Sequence, residues 1–291
     1  MTYKSQESTF ILNVSCKAGT GILAAISTFL ADRGCYICAV EQFDDETTEK
    51  FFMRAVFRME SQDISIGQMR EEFVEVSEKY GMTWRFYDAV EPVKTVIMVS
   101  KFDHCLNDLL YRYKKGELNL EIVAVISNHQ DLRGMVEREG IRFVHLPVDK
   151  DNKPAQEARL LDIVSETDAE LVILARYMQI LSDNLSRELS GKCINIHHSF
   201  LPGFKGARPY HQAFERGVKL IGATAHYVTS DLDEGPIIEQ VVARVDHNYK
   251  PEQLARVGRE NECYALASAV KWHIERRVFL DDNKTVIFLG S

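Results

Sequence analysis

From residue 95 onward the sequence alternates short apolar runs with longer amphipathic ones, and this alternation constrains the fold more than any other feature. Residues 95–99, 121–127, 142–145, 171–175 and 193–197 are apolar and of strand length. Between them, 107–113, 132–138, 154–166 and 183–189 carry helical periodicity. Strands that alternate with helices in this way build a doubly wound, mostly parallel α/β sheet. Residues 220–228 and 237–245, joined by the loop 230–236, predict an antiparallel extension of it. A long amphipathic helix over 251–277 and a final strand over 285–289 complete the pattern.

The preceding residues follow a different rhythm. Strands over 9–16, 36–43, 50–59 and 82–87 enclose helices over 22–33 and 66–80, each helix stopped by a glycine, Gly34 and Gly81. This βαββαβ order predicts a ferredoxin-like α+β domain over 1–88. Residues 89–94 read as a linker with one proline, and 95–291 as the second domain.

Composition narrows the function. A net charge of -8 and a pI near 5.7 argue against a nucleic-acid partner. No apolar run approaches the ~20 residues that span a bilayer, and the first residues lack a basic-then-apolar leader pattern. A cytoplasmic location is expected. The six cysteines are scattered, mostly in apolar segments, and read as reduced thiols. Cys35 and Cys38 form a CxxC, but on a strand residues three apart face opposite sides and do not share a metal.

Residues 194–240 carry the chemistry. Asn195 and His197 lie at the end of an apolar run and, on a strand, share a face that Ile196 does not. His226 sits in the next strand, and Asp233 follows it in a Gly-Pro turn. An amide donates to a developing oxyanion, an imidazole donates a proton to that oxygen or to a leaving nitrogen, and a carboxylate accepts one. Together they suit acyl transfer without a covalent intermediate. No G-x-S-x-G elbow and no H-E-x-x-H helix is present. His197 and His198, adjacent on a strand, are expected to face opposite ways and make a poor metal pair. Ser199 has no assignable triad and reads as a turn residue.

The same stretch resembles the N10-formyltetrahydrofolate-dependent formyltransferase/hydrolase family. The matching elements are Asn195-Ile-His197-His198-Ser199-Phe200-Leu201-Pro202, the strand with His226, and Asp233-Glu-Gly235-Pro236-Ile237. The resemblance implies that Asn195, His197 and Asp233 are catalytic. It also implies a folate site of Tyr177, Met178, Gln179 and Leu181, faced by Thr229, Ser230, Asp231 and Leu232. Lys205 and Arg208 have two readings, attraction of the folate glutamate tail or a solvated loop face. The glycine turn before the first helix resembles the ACT regulatory domain, although Ala18 stands where that family often has Asp. Two readings of that domain follow, binding of an amino-acid effector or assembly alone. Either implies a homo-oligomer, a dimer or tetramer.

Within the family, the acceptor distinguishes the reactions. Glycinamide ribonucleotide formyltransferases hold the acceptor's phosphate on a glycine-rich loop after the first strand. Here that loop, 100–105, reads Ser-Lys-Phe-Asp-His-Cys and has no glycine. Methionyl-tRNA formyltransferases add an RNA-binding domain after the site, for which this acidic chain leaves little length. The resemblance therefore implies the hydrolase branch, which links one-carbon metabolism to purine biosynthesis. Water is the acceptor there, 10-formyltetrahydrofolate the substrate, and no metal or redox cofactor is needed. The alternatives are formyl transfer to an unrecognised amine, or a catalytically silent folate or amino-acid sensor.

Overall fold

The structure, a computed structural model, describes residues 9–60, 64–201 and 209–290. Two compact units emerge. One comprises Met1–Glu91 with Glu275–Phe279 and Val286–Ser291, the other Pro92–Ile274 with Leu280–Thr285.

In the first unit, β1 (Thr9–Lys17), β2 (Cys35–Asp45), β3 (Lys50–Met59) and β4 (Thr83–Asp88) form one antiparallel sheet in the order β2-β3-β1-β4. With α1 (Ile22–Asp32) and α2 (Ile66–Tyr80) this is the expected ferredoxin-like arrangement. Alternation places Leu12 and Val14 of β1, and Met53 and Ala55 of β3, in one core with Ile26, Leu30 and Phe73 of the helices. Helix α2 opens on a capping box, Ser65 with Gln68, and closes at Gly81 in the left-handed region. Cys35 is buried and Cys38 exposed, with an irregularity in β2 between Ile37 and Ala39. All six cysteines are free thiols.

The weak alternation of β3 has a physical cause in the C-terminal residues. Glu275–Phe279 belongs to this unit rather than to the expected second domain over 95–291. The buried Arg54 guanidinium donates to the Glu275 carbonyl through Nε (3.2 Å) and Nη2 (3.1 Å), and Asn13 donates to the Arg276 carbonyl (2.9 Å). Phe52 meets Phe279 at a centroid distance of 5.8 Å. Both faces of β3 are thus covered, and a strand buried on both faces loses its period-two signature.

The second unit is built on a seven-stranded sheet. Its strands are β5 (Val93–Val99), β6 (Leu120–Ser127), β7 (Phe143–His145), β8 (Leu171–Leu174), β9 (Cys193–His197), β10 (Leu220–Tyr227) and β11 (Ile237–Arg244). The order is β11-β10-β9-β8-β5-β6-β7, parallel from β7 to β9 and antiparallel for β10 and β11. Helices α3 (His104–Lys114), α4 (Arg133–Glu137), α5 (Lys153–Glu166) and α6 (Asp183–Glu188) fall between the parallel strands. Next come α7 (Pro209–Glu215) before β10 and α8 (Pro251–Ile274) after β11. Val96 to Val99 of β5 and all of β8 are buried, as both faces of a parallel sheet are covered.

Among the boundaries that differ from expectation, three lie at the edges of the two units. Strand β5 begins at Val93, inside the expected linker 89–94. Helix α8 ends at Ile274 rather than 277, and Arg276 takes a left-handed φ of 57°. The final strand pairs as a hairpin, β12 (Val278–Asp281) with β13 (Lys284–Ile287), and β12 is too short to show a period. No helix among the described residues is long and apolar enough to cross a membrane.

The first core depends on Phe73, fully buried, with Phe29, Trp84 and Phe86 at centroid distances of 4.9, 5.0 and 5.5 Å. Phe73→Ala removes all three edge contacts and leaves a cavity. Chemical denaturation of the full chain should show a loss of about 3–5 kcal/mol.

Candidate active site

Strand β5 lies between β6 and β8, so the strand order reverses there and a crevice opens at the carboxyl ends of the parallel strands. The segments after β5, β8 and β9 lead from that edge. On β9, Asn195 and His197 share one face, while Ile196 is buried on the other. Antiparallel pairing with β10 sets His226 opposite Asn195 and Thr224 opposite His197.

The polar contacts assign the tautomers. His226 Nδ1 is 2.9 Å from the Tyr227 carbonyl oxygen, which only accepts, so Nδ1 carries a proton. Its Nε2 then accepts from the Asn195 amide at 3.2 Å. Asp233 follows in a left-handed conformation, φ 58°. Its Oδ1 lies 3.2 Å from His197 Nδ1 and 3.7 Å from His226 Nε2. A Cβ on Gly235 would stand 1.8 Å from the Tyr227 carbonyl oxygen, so only glycine lets this turn close onto β10. Burial pushes the Asp233 carboxyl up, but the hydrogen bond from His197 counters it, and the carboxyl is drawn down. His197 Nε2 is buried and has no hydrogen-bond partner among the described residues.

These groups line a cavity of about 280 Å³. Tyr177, Met178, Gln179 and Leu181, from the loop after β8, form one wall. Thr229, Ser230, Asp231 and Leu232 form another, and Asn195, His197 and Asp233 lie with them. The loop after β8 is held by Ser100, whose hydroxyl accepts from the Met178 N–H at 2.9 Å and donates to Asn128 Oδ1 at 2.7 Å. Thr229 donates to the Asp231 carbonyl at 3.1 Å and shapes the facing loop. Met178, Ile180 and Leu232 remain exposed around the cavity, which suits a flat, partly apolar ligand. Lys205 and Arg208 lie outside the described residues.

The structure adds residues that sequence reasoning passed over. Arg176, Ile180, His198 and Val228 also line the cavity, and His226 is a partner of Asn195 rather than only a strand residue. The expectation that His197 and His198 face opposite ways is incorrect. Strand β9 ends at His197, the alternation ends with it, and the two rings stack at 4.8 Å with an interplanar angle of 24°. Burial, with the nearby Arg176 and His197 charges, pulls the His198 imidazole down to about 4. Ser199 is buried, and its carbonyl accepts from Thr224 at 3.0 Å.

Comparison with known proteins finds relatives over nearly the whole chain. The formyl transferase family model matches residues 93–270. A formyltetrahydrofolate deformylase of Corynebacterium sp. (strain P-1) is 52% identical, covering 97% of this chain and 99% of the relative. The Bacillus subtilis (strain 168) formyltetrahydrofolate deformylase is 45% identical over 95% of this chain and 93% of its own. This chain belongs to the formyltetrahydrofolate deformylase family. A deformylase structure from Burkholderia mallei superposes with a TM-score of 0.93 at 53% identity, covering 97% of this chain and 99% of that one. The glycinamide ribonucleotide transformylase 1 of Symbiobacterium toebii matches 69% of this chain and 97% of its own, at 28% identity and a TM-score of 0.64. The deformylase likeness thus spans nearly the whole chain, and the transformylase likeness part of it.

The His198 environment sets a pH dependence. Its imidazole is held at about 4 in the folded state against an ordinary value near 6.5, so the unfolded chain takes up the proton first. The stability this neutral, buried histidine confers is complete above about pH 6.5 and is lost as the pH falls toward 4. In melts from pH 7.5 to 4, Tm should therefore fall more for the unaltered chain than for His198→Asn.

Proposed function

We propose that this chain hydrolyses 10-formyltetrahydrofolate to tetrahydrofolate and formate, and that it does so in the cytoplasm, returning the folate to one-carbon metabolism. The observation that carries the reading is the His197 imidazole, tied through Nδ1 to Asp233, with Nε2 unpartnered among the described residues in a residue that lines the cavity. The pterin lies between the walls of Tyr177, Met178, Gln179 and Leu181 and of Thr229 to Leu232, which offer apolar surface and backbone polar groups.

Asp233 is ionised and holds His197 with its proton on Nδ1, leaving a lone pair on Nε2. With Asp233 engaged by Nδ1, the carboxylate orients the attacking water while the imidazole takes up the proton at Nε2. Water oxygen bonds to the formyl carbon, and the carbonyl oxygen becomes an oxyanion that accepts from the Asn195 amide and from protonated His197. Collapse breaks the bond to N10, His197 returns its proton to that nitrogen, and formate leaves. The amide's orientation comes from His226, which accepts one of its two N–H groups and leaves the other for substrate. His197 and Asp233 accept and deliver the proton themselves, and the reaction as written calls for no metal or redox cofactor.

Asn195→Ala, His197→Ala and Asp233→Asn should each lower kcat by on the order of 10²–10³ while retaining the wild-type fold by circular dichroism. Formate should appear at the same rate with and without glycinamide ribonucleotide. Negligible formate alone, with rapid formyl transfer to that amine, would sink the hydrolytic reading.

The first unit, by its ferredoxin-like sheet and the ACT resemblance, is proposed to serve homo-oligomeric assembly and an amino-acid effector. Ala18 donates through its backbone to the Glu49 carbonyl at 2.8 Å, and Gly21 opens α1 at a φ of 88°. A ligand that binds the folded state raises Tm. A panel of the twenty amino acids should contain at least one that raises it; a flat response across the panel leaves assembly alone.

A further inference from the structure

A polar cluster around a buried carboxylate stands beside the cavity, and the hydrolytic steps do not use it. At its centre is Glu262 of α8, 1% exposed. Its carboxylate accepts from Tyr210 Oη at 2.9 Å and meets His104 Nε2 at 2.7 Å. Arg176 Nε lies 3.3 Å away, an ion pair not aligned for a hydrogen bond. The Arg176 guanidinium also lies 5.1 Å from the centroid of Phe102, on the loop after β5. Arg176 lines the cavity with His197 and His198. Its side chain therefore reaches from the cavity to the 100–105 loop.

Its backbone conformation makes the choice of residue informative. Arg176 has φ 63°, in the left-handed region where glycine is favoured and a branched or long side chain is not. The loop does not need a side chain there to hold its shape, because the Arg176 carbonyl accepts from the Ser100 N–H (3.3 Å) and the Ser100 hydroxyl holds Met178 (2.9 Å). Strain kept at a cavity wall points to a use for the side chain.

The two nucleophiles open to this chemistry differ in charge and size. Hydrolysis joins water oxygen to the formyl carbon, breaks the bond to N10 and passes a proton to N10. Transfer does the same with an amine nitrogen. An α-amine titrates at roughly 7.7–8.0, so near neutral pH it arrives largely as an ammonium and must shed a proton and its water. Beside the Arg176 guanidinium that approach is disfavoured by like charge, and a larger nucleophile meets that side chain at the cavity wall. Water is neutral and small.

We propose that Arg176 is a specificity-determining residue: held by Glu262 and Phe102, its guanidinium closes the β5 side of the cavity to amines and leaves water as the acceptor. This rests on the hydrolytic reading above. Glu262 is a positioning residue in the same device. Tyr210 reaches it only because residue 258 is glycine, where a Cβ would stand 1.8 Å from the Tyr210 hydroxyl.

The test is a product partition. Full-length protein is given 10-formyltetrahydrofolate with a fixed, high concentration of glycinamide, and formate and N-formylglycinamide are quantified together. The unaltered chain should yield almost only formate. Arg176→Gly, which suits the left-handed backbone and should keep or raise Tm, should shift the ratio toward N-formylglycinamide by on the order of ten-fold or more. Glu262→Gln should shift it the same way by less, and Arg176→Lys, which keeps the charge, by less than Arg176→Gly. A purely structural role would lower both products together and leave the ratio unmoved. An unmoved ratio in Arg176→Gly, or in Glu262→Gln should the glycine variant not fold, overturns the proposal while hydrolysis stands. An unaltered chain that releases no formate in the absence of amine overturns both readings.

Discussion

The antiparallel pairing of β9 with β10 is the constraint on which the site depends. Its register, Asn195 opposite His226 and His197 opposite Thr224, brings the amide within 3.2 Å of an imidazole from another strand. A slip by one residue would turn Asn195 and His197 to the other face, where Ile196 is buried. Thr224 helps lock the register: its hydroxyl donates to the Ser199 carbonyl at 3.0 Å and accepts from the Leu201 N–H at 3.1 Å. The same strand then leads into the turn that carries Asp233. One pairing thus delivers the amide, both imidazoles and the carboxylate.

Asp233, half-buried, and Glu262, buried, are both drawn toward the ionised form, by different means. Asp233 accepts from His197 Nδ1 at 3.2 Å and lies at the cavity wall. Glu262 is buried further. Burial pushes its carboxyl up, and the His104 hydrogen bond, the Arg176 charge and the Tyr210 hydroxyl together bring it below the ordinary range. Its three partners come from the segments after β5, after β8 and from α7, so a single charge on α8 gathers chain segments far apart in sequence. A buried charge is tolerated only when its partners are in place, which makes such a centre a demanding specification of loop geometry.

The apolar part of the cavity follows another logic. Met178, Ile180 and Leu232 line the cavity and are exposed. The Ser100 hydroxyl, buried beneath the loop after β8, holds the Met178 backbone so that those side chains are presented by a fixed main chain. A pocket ordered before binding spends less of its binding energy on ordering itself.

Much of this was legible in the residues. The apolar runs and helical patterns of 95–197 are strong because central parallel strands are apolar on both faces, and the Asn195 and His197 alternation follows from strand geometry alone. Local signals did not reveal β12, the domain assignment of Glu275–Phe279, the stacking of His198 on His197, or the part played by Arg176. Each of these depends on a partner distant in sequence or on a backbone angle that residue type does not dictate. The sequence by itself determined the two-domain plan, the strand that carries the amide and imidazole, and the chemistry those groups can perform. Only the tertiary structure decided that His226 faces Asn195, that Asp233 bonds His197, and that Glu262 holds Arg176, because hydrogen bonds and ion pairs between separate strands and loops leave no periodic trace in the chain.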